Sequence, residues 1–170
     1  MIKIYDDFLS KKEQNHVLDY CAEAPYKYGE SDSDSTPPTG ITHDIPENGY
    51  IHELFCAKTQ VLVPEELIFY RMYINCFAPR EIPYFHTDGD DGVTFLYYPQ
   101  RGWKQNDGGE TQIYEDDMIK GIPPISNRML MFDASLLHRA TSFRDRHRFT
   151  IAVKYESKKS IWFTNLLPNK

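Results

Sequence analysis

The chain has 170 residues, 41% of them hydrophobic and 14% aromatic, which suits one domain with a real core and excludes a disordered chain. Its 25 acidic against 19 basic residues leave a net charge of −6, which disfavours a nucleic-acid partner. No run approaches the roughly 18 apolar residues of a membrane span, so composition points to a globular protein with no membrane partner.

Asp6 and Asp7 stand where a signal peptide would begin its apolar run. Cys21, Cys56 and Cys76 are odd in number and lack C-x-x-C spacing, so they read as reduced core thiols of a cytoplasmic protein. Ser10 followed by Glu13 is a capping-box pattern, and Val17, Leu18 and Cys21 recur at helical spacing. A helix over about 10–23 follows, ended by Pro25. Residues 29–49 are polar and turn-rich, and are read as a solvated connector, with a lid beside a pocket as the alternative. Ile51, Leu54, Phe55 and Lys58 predict a second helix over 50–61.

From residue 67 the pattern changes to strands. The expected ones are Ile68–Phe77, Tyr84–Thr87, Val93–Tyr98, Glu110–Tyr114, Arg128–Phe132, His147–Tyr155 and a last one near Ile161–Thr164, separated by Gly, Pro, Asn and Asp. Helices first and many short strands after predict a mainly β fold, an antiparallel barrel or sandwich backed by N-terminal helices. No internal repeat or second domain is visible. Residues 1–170 are taken as a single domain, with 1–66 as helical support and loop and 67–165 as the β core. In the long strand, Phe149, Ile151, Val153 and Tyr155 share one face and Arg148, Thr150, Ala152 and Lys154 the other. That alternation fits either core and solvent or a packed layer and a polar pocket.

Tyr84-Phe85-His86-Thr87-Asp88-Gly89 carries the chemistry. In an extended chain, residues two apart point the same way, so His86 and Asp88 aim an imidazole and a carboxylate at one point. His138, some fifty residues on, is the candidate for the third ligand of a two-histidine, one-carboxylate face that holds non-haem Fe(II) and leaves positions open. About half an H-x-D pair is expected by chance in a shuffled chain of this composition, so its context must carry the assignment. A calcium loop at Asp88–Gly92 is rejected, because Gly92 stands at its fifth position and Pro99 at its twelfth, where Glu is required. His16, His43, His52 and His147 read as surface or helix-face residues.

The context resembles a known family. His86-x-Asp88, Val93-Thr94-Phe95-Leu96-Tyr97-Tyr98, Trp103, Gly108-Gly109-Glu110-Thr111, Met129-Leu130-Met131-Phe132-Asp133, His138 and Arg148-Phe149-Thr150-Ile151-Ala152-Val153 stand in the order and intervals of the Fe(II)- and 2-oxoglutarate-dependent oxygenases, prolyl 4-hydroxylase-like branch. The resemblance covers roughly residues 70–156 and implies a double-stranded β-helix, the cupin-like jelly-roll barrel. It further implies that His86, Asp88 and His138 bind Fe(II), with catalysis running through that iron. Arg148 would grip the distal carboxylate of 2-oxoglutarate, as a guanidinium can with two parallel hydrogen bonds. Tyr98 and Thr150 would add donors to the same cosubstrate, and Tyr73 and Asn75 further contacts. Trp103, Arg101 and Arg80 are the candidates for touching substrate or a lid. O₂ is the second cosubstrate and ascorbate an allowed reductant. Collagen-type members usually carry Lys where this chain has Arg148, which leans the likeness toward oxygen-sensor-like and bacterial relatives. Phe77 stands near where some relatives have a pocket Tyr.

The implied reaction is hydroxylation of a peptidyl or free prolyl-type residue with release of succinate and CO₂, on a peptide, protein or small-molecule substrate. Two other readings stay open. Asn75 and Ile82 ahead of His86-x-Asp88 faintly resemble the alkylated nucleic-acid demethylases. The run Arg148-x-Thr150-x-Ala152-x-Lys154 departs from their R-x-N-x-T-x-R, however, and the net charge argues against them. A cupin-like module that holds a metal without catalysis is the other, although such a barrel has no need of a carboxylate clamp. Substrate identity and oligomeric state are not fixed by the sequence.

Overall fold

The computed structural model describes residues 1–157, so the strand expected near Ile161–Thr164 lies outside the described residues. In chain order the elements are β1 (Ile2–Tyr5), α1 (Lys11–Glu23), β2 (Lys27–Tyr28), β3 (Ile41–Asp44), α2 (Tyr50–Thr59), β4 (Leu67–Phe77), β5 (Val93–Tyr98), β6 (Thr111–Glu115), β7 (Met118–Ile122), β8 (Arg128–Asp133), β9 (His138–Ala140) and β10 (Arg148–Ser157). They form a seven-stranded antiparallel sheet in the order β1-β8-β5-β10-β4-β3-β2 and a three-stranded sheet in the order β7-β6-β9. Neither sheet closes into a barrel. The arrangement is a jelly roll with the helices outside the larger sheet.

Three layers result, and strand alternation explains them. Met72, Ile74, Phe95, Tyr97, Met129, Met131, Ile151 and Val153 point to one side of the large sheet, where they pack with Val17 and Cys21 of α1 and Ile51 and Phe55 of α2. The residues between them, Tyr73, Leu96, Tyr98, Leu130, Phe132 and Ala152, point to the other side and meet Ile113 of the small sheet. The central strands are thus buried on both faces. This decides the ambiguity of β10, whose Arg148, Thr150 and Lys154 face an interior space and not solvent.

The local signals that held are the ones with a mechanism. Ser10 caps α1 with the full box: its hydroxyl accepts from the Glu13 amide, and the Glu13 carboxylate accepts from the Ser10 amide at 2.7 Å. The second helix ends at Thr59 and passes into a 3-10 turn over Gln60–Leu62.

Other segments differ from expectation. Tyr84–Thr87 is not a strand. Pro83 lacks an amide donor, and only His86 pairs, exchanging two backbone hydrogen bonds of 2.9 Å with His138. The 29–49 connector contains β3, whose Thr42, His43 and Asp44 pair with β4; its polar residues lack the apolar alternation that would have revealed it. The short β1, the two-residue β2 and the three-residue β9 were likewise not anticipated. The β6–β7 hairpin turns on Asp116 and Asp117, both left-handed at φ 53° and 57°, a two-residue turn that Asp tolerates. Cys21 and Cys76 are buried free thiols, whereas Cys56 is only half-buried.

Candidate metal centre

Two segments deliver His86, Asp88 and His138 to one place: the stretch after Pro83, and the start of β9. His138 opens β9, and the backbone bridge to His86 sets the two imidazoles with centroids 4.5 Å apart. Asp88 follows two residues later, its amide held by the Ala134 carbonyl at 2.8 Å. One donor atom from each of the three lies within 4.8 Å of the others. The Nε2 atoms of His86 and His138 stand 3.6 Å from Oδ1 and Oδ2 of Asp88 respectively.

The outer contacts fix which nitrogen faces inward. Nδ1 of His86 is 3.1 Å from the Tyr84 carbonyl, and Nδ1 of His138 is 2.9 Å from the Leu136 carbonyl. A carbonyl only accepts, so each Nδ1 carries the proton and each Nε2 keeps its lone pair free for a metal. The Phe132 ring meets His138 edge-on at 4.6 Å and limits its rotation. The donor set, two neutral imidazoles and a carboxylate, is therefore one that would hold a divalent transition ion such as Fe(II).

The carboxylate between them is engaged at both oxygens. Thr94 Oγ1 donates to Oδ2 at 2.5 Å, and Lys154 Nζ sits 2.8 Å from Oδ1. Burial alone would raise the Asp88 carboxyl, but the adjacent imidazole of His86 and the ammonium of Lys154 outweigh it and hold Asp88 well below the usual carboxylate range. Burial pushes His138 down, toward the neutral form that can ligate. At His86 the lowering by burial is exceeded by the close negative charge of Asp88, so it is raised. Lys154 was not among the sequence candidates. Its position on the Arg148 face of β10 was the available signal.

Arg148 lies deeper and is 1% exposed. Its Nε donates to the Gly109 carbonyl at 2.8 Å, and its terminal nitrogens donate to Thr111 Oγ1 at 3.0 Å and Thr150 Oγ1 at 3.5 Å. Tyr98 donates to the same Thr111 hydroxyl at 2.7 Å, with its ring 5.6 Å from the guanidinium. Among the described residues no carboxylate forms an ion pair with Arg148. A buried cation met only by neutral acceptors is costly by itself, and burial pulls its pKa down. The arrangement suits an anionic ligand that supplies the missing carboxylate. Gly109 is needed here: its φ is +86°, and a Cβ would lie 2.4 Å from the Phe143 ring.

A cavity of about 150 Å³ joins the two groups. Tyr73, Asn75 and Thr150 line it, Phe77 supplies an aromatic wall, and Tyr98 is not part of the lining. Trp103, Arg101 and Arg80 do not line it. The Trp103 indole donates to the Gly108 carbonyl at 2.8 Å, Arg101 reaches Asn15 on α1, and Arg80 lines a separate depression with Ile82 and Ser142. Trp103 and Arg101 tie down their loops, and none of the three lines the triad's cavity. The 29–40 segment, by contrast, forms part of the wall through Glu30, Ser31, Asp32 and Thr39, which its polar composition did not reveal.

The family model for the 2OG-Fe(II) oxygenase superfamily matches residues 70–155, half of the chain. The chain belongs to the 2OG-Fe(II) oxygenase superfamily. Fe(II) is that superfamily's metal and 2-oxoglutarate its cosubstrate. No curated protein matches the chain. Among solved structures, a Pseudomonas putida prolyl-4-hydroxylase is similar at 15% identity over 92% of each chain, with a TM-score of 0.76. A Trichoplax adhaerens prolyl hydroxylase in complex with a hypoxia-inducible-factor peptide fragment is 16% identical over 96% of this chain and 86% of that one, with a TM-score of 0.77. HygX from Streptomyces hygroscopicus, with nickel, 2-oxoglutarate and hygromycin B bound, is 11% identical over 92% and 83%, with a TM-score of 0.72. At such identities these likenesses establish the fold. No helix among the described residues is long and apolar enough to cross a membrane.

Proposed function

We propose that the chain is a 2-oxoglutarate-dependent hydroxylase of the prolyl 4-hydroxylase type, acting on a peptidyl or free prolyl-type residue with release of succinate and CO₂. In this reading His86, Asp88 and His138 hold Fe(II), which, when bound, supplies the oxidative decarboxylation and C–H hydroxylation chemistry. Arg148 pairs with the distal carboxylate of 2-oxoglutarate, Thr150 beside it in the cavity lining adds a donor, and the Tyr98 phenol, which lies behind the lining and donates to Thr111, turns to the same carboxylate when it binds. Tyr73 and Asn75 of β4 wall the space between clamp and triad. The observation that carries the proposal is the buried, carboxylate-free Arg148 at the floor of the triad's own cavity.

The residues' contribution is binding, orientation and exclusion of water. The Tyr84 and Leu136 carbonyls keep both imidazoles in the ligating tautomer, Thr94 and Lys154 hold Asp88 ionised, and the clamp orients the keto acid by its tail. A purely metal-holding module would have no use for that clamp. The wall near the triad carries Glu30 and Asp32, which is unsuited to a nucleic-acid backbone. Prolyl substrates are favoured by the prolyl hydroxylases among the structural neighbours, while the hygromycin-bound HygX keeps small-molecule substrates in view.

The test is succinate formation from 2-oxoglutarate by protein loaded anaerobically with Fe(II), followed by O₂, with His86→Ala and Arg148→Ala as controls. The expected outcome is slow uncoupled turnover lost in both variants. Absence of both turnover and 2-oxoglutarate binding in the wild type would sink the proposal. A screen of peptides and free amino acids for a one-oxygen mass gain then identifies the substrate class.

A further inference from the structure

The 29–40 segment does more than wall the cavity; it reaches the metal centre. Asp32 is half-buried, its side chain 14% exposed. Its Oδ2 accepts from the Tyr84 amide at 2.7 Å and from Thr39 Oγ1 at 3.2 Å. Its Oδ1 lies 3.5 Å from Nδ1 of His86, the nitrogen facing away from the triad. One carboxylate thus touches the backbone just before a candidate ligand and faces the ring of that ligand.

His86 has particular need of this support. It sits in no strand, follows Pro83 closely, and its backbone pairs only through the single bridge to His138. A carboxylate on the outer nitrogen of a ligating histidine fixes the ring's orientation and raises its basicity. The rest of the segment is tied to the same region. Gly40 donates its amide to Glu81 at 2.6 Å, and Glu30 pairs with Arg71 at 2.7 Å.

We propose that Asp32 is a positioning residue that couples the 29–40 wall to the metal ligand His86. Filling the metal site then orders the wall, and releasing the wall loosens the ligand, by the reciprocity that any linkage requires. The inference rests on the reading of His86, Asp88 and His138 as the metal site.

The test uses Co(II) as the probe, with metal-free full-length protein, calorimetric titration and hydrogen-exchange mass spectrometry. In the wild type, Co(II) slows exchange across residues 29–40 and at the Tyr84 amide. Asp32→Ala weakens Co(II) affinity about ten- to a hundredfold, the usual scale for an outer partner of a metal ligand, and abolishes the Co(II)-dependent protection of the segment. Asp32→Asn keeps an oxygen for the Tyr84 amide but loses the charge facing Nδ1, so it falls between the two. Asp34→Asn, on the exposed part of the same segment, behaves as wild type. The proposal is overturned if Asp32→Ala binds Co(II) as tightly as wild type, or if exchange across 29–40 in the wild type ignores Co(II). The wild-type exchange measurement needs no variant and stands even if Asp32→Ala misfolds. Wild-type protein that takes up no Co(II) would instead overturn the metal-site reading, and this inference with it.

Discussion

The two faces of the seven-stranded sheet are made from alternate residues of the same strands, yet they answer to opposite demands. On the helix side, β5 contributes Val93, Phe95 and Tyr97, and β10 contributes Ile151, Val153 and Tyr155, all buried in an apolar layer. On the other side the same strands contribute Thr94, Tyr98, Arg148, Thr150 and Lys154. One face gains stability by removing apolar surface from water. The other buries a guanidinium, an ammonium and a carboxylate, and it is stabilised only where those charges find partners. A single residue step along β10 therefore separates a position in the apolar layer from one that lines the cavity.

Substitutions on each face can break that comparison. The largest effect is expected from His138→Ala: metal-dependent 2-oxoglutarate turnover falls to background, because even outer partners of metal ligands are worth about 10–100-fold. Circular dichroism should remain that of the wild type, since β9 keeps its backbone pairing. Next comes Phe95→Ala, on the opposite face of β5. It empties a fully buried aromatic site and should lower the unfolding free energy by about 3–5 kcal/mol, read by urea denaturation. Turnover per folded molecule should not change. If Phe95→Ala altered the KM for 2-oxoglutarate as much as stability, the separation of the two faces would be wrong.

Arg148→Met sharpens the same contrast from the ligand side. Losing charge-assisted hydrogen bonds of about 1.5–3 kcal/mol should raise the KM for 2-oxoglutarate roughly ten- to a hundredfold. Stability without ligand should stay level or rise, because a buried cation lacking a carboxylate is replaced by an apolar side chain. The readout is a thermal melt with and without 2-oxoglutarate. The wild type gains stability as ligand binds the folded state, and the variant does not.

How far the chain could be read before its fold was known follows the same division. His86 and Asp88 stood out by their spacing and His138 as a distal third ligand, whereas Arg148 was legible only through the resemblance to the family; the structure gathers all four about one cavity. The alternation of β10 was visible too, but not whether its polar face met solvent or an enclosed pocket, since that depends on the small sheet folding over it. Lys154 and Asp32 were missed for a related reason. A lysine in a strand and an aspartate in a serine-rich loop are ordinary surface residues until tertiary pairing puts one against Asp88 and the other against His86. β3 was hidden because its pairing with β4 is carried by backbone, which leaves no apolar pattern.

The smallest expected effect concerns Tyr98, where the two faces come nearest to trading roles. Its ring packs in the apolar cluster with Leu130 and Phe132, while its hydroxyl donates to Thr111 Oγ1, which also accepts from Arg148. Tyr98→Phe keeps the ring and removes one hydrogen bond, so about 1 kcal/mol is at stake. If the phenol serves only the protein, the loss appears in the unfolding free energy and the KM for 2-oxoglutarate stays put. If, as proposed, it turns to the cosubstrate carboxylate, ligand-free stability changes little and the KM rises about fivefold. The double variant Tyr98→Phe/Arg148→Met separates the cases further. Two groups gripping one carboxylate give a combined loss that departs from the sum of the single losses, whereas a phenol acting on the fold alone adds independently.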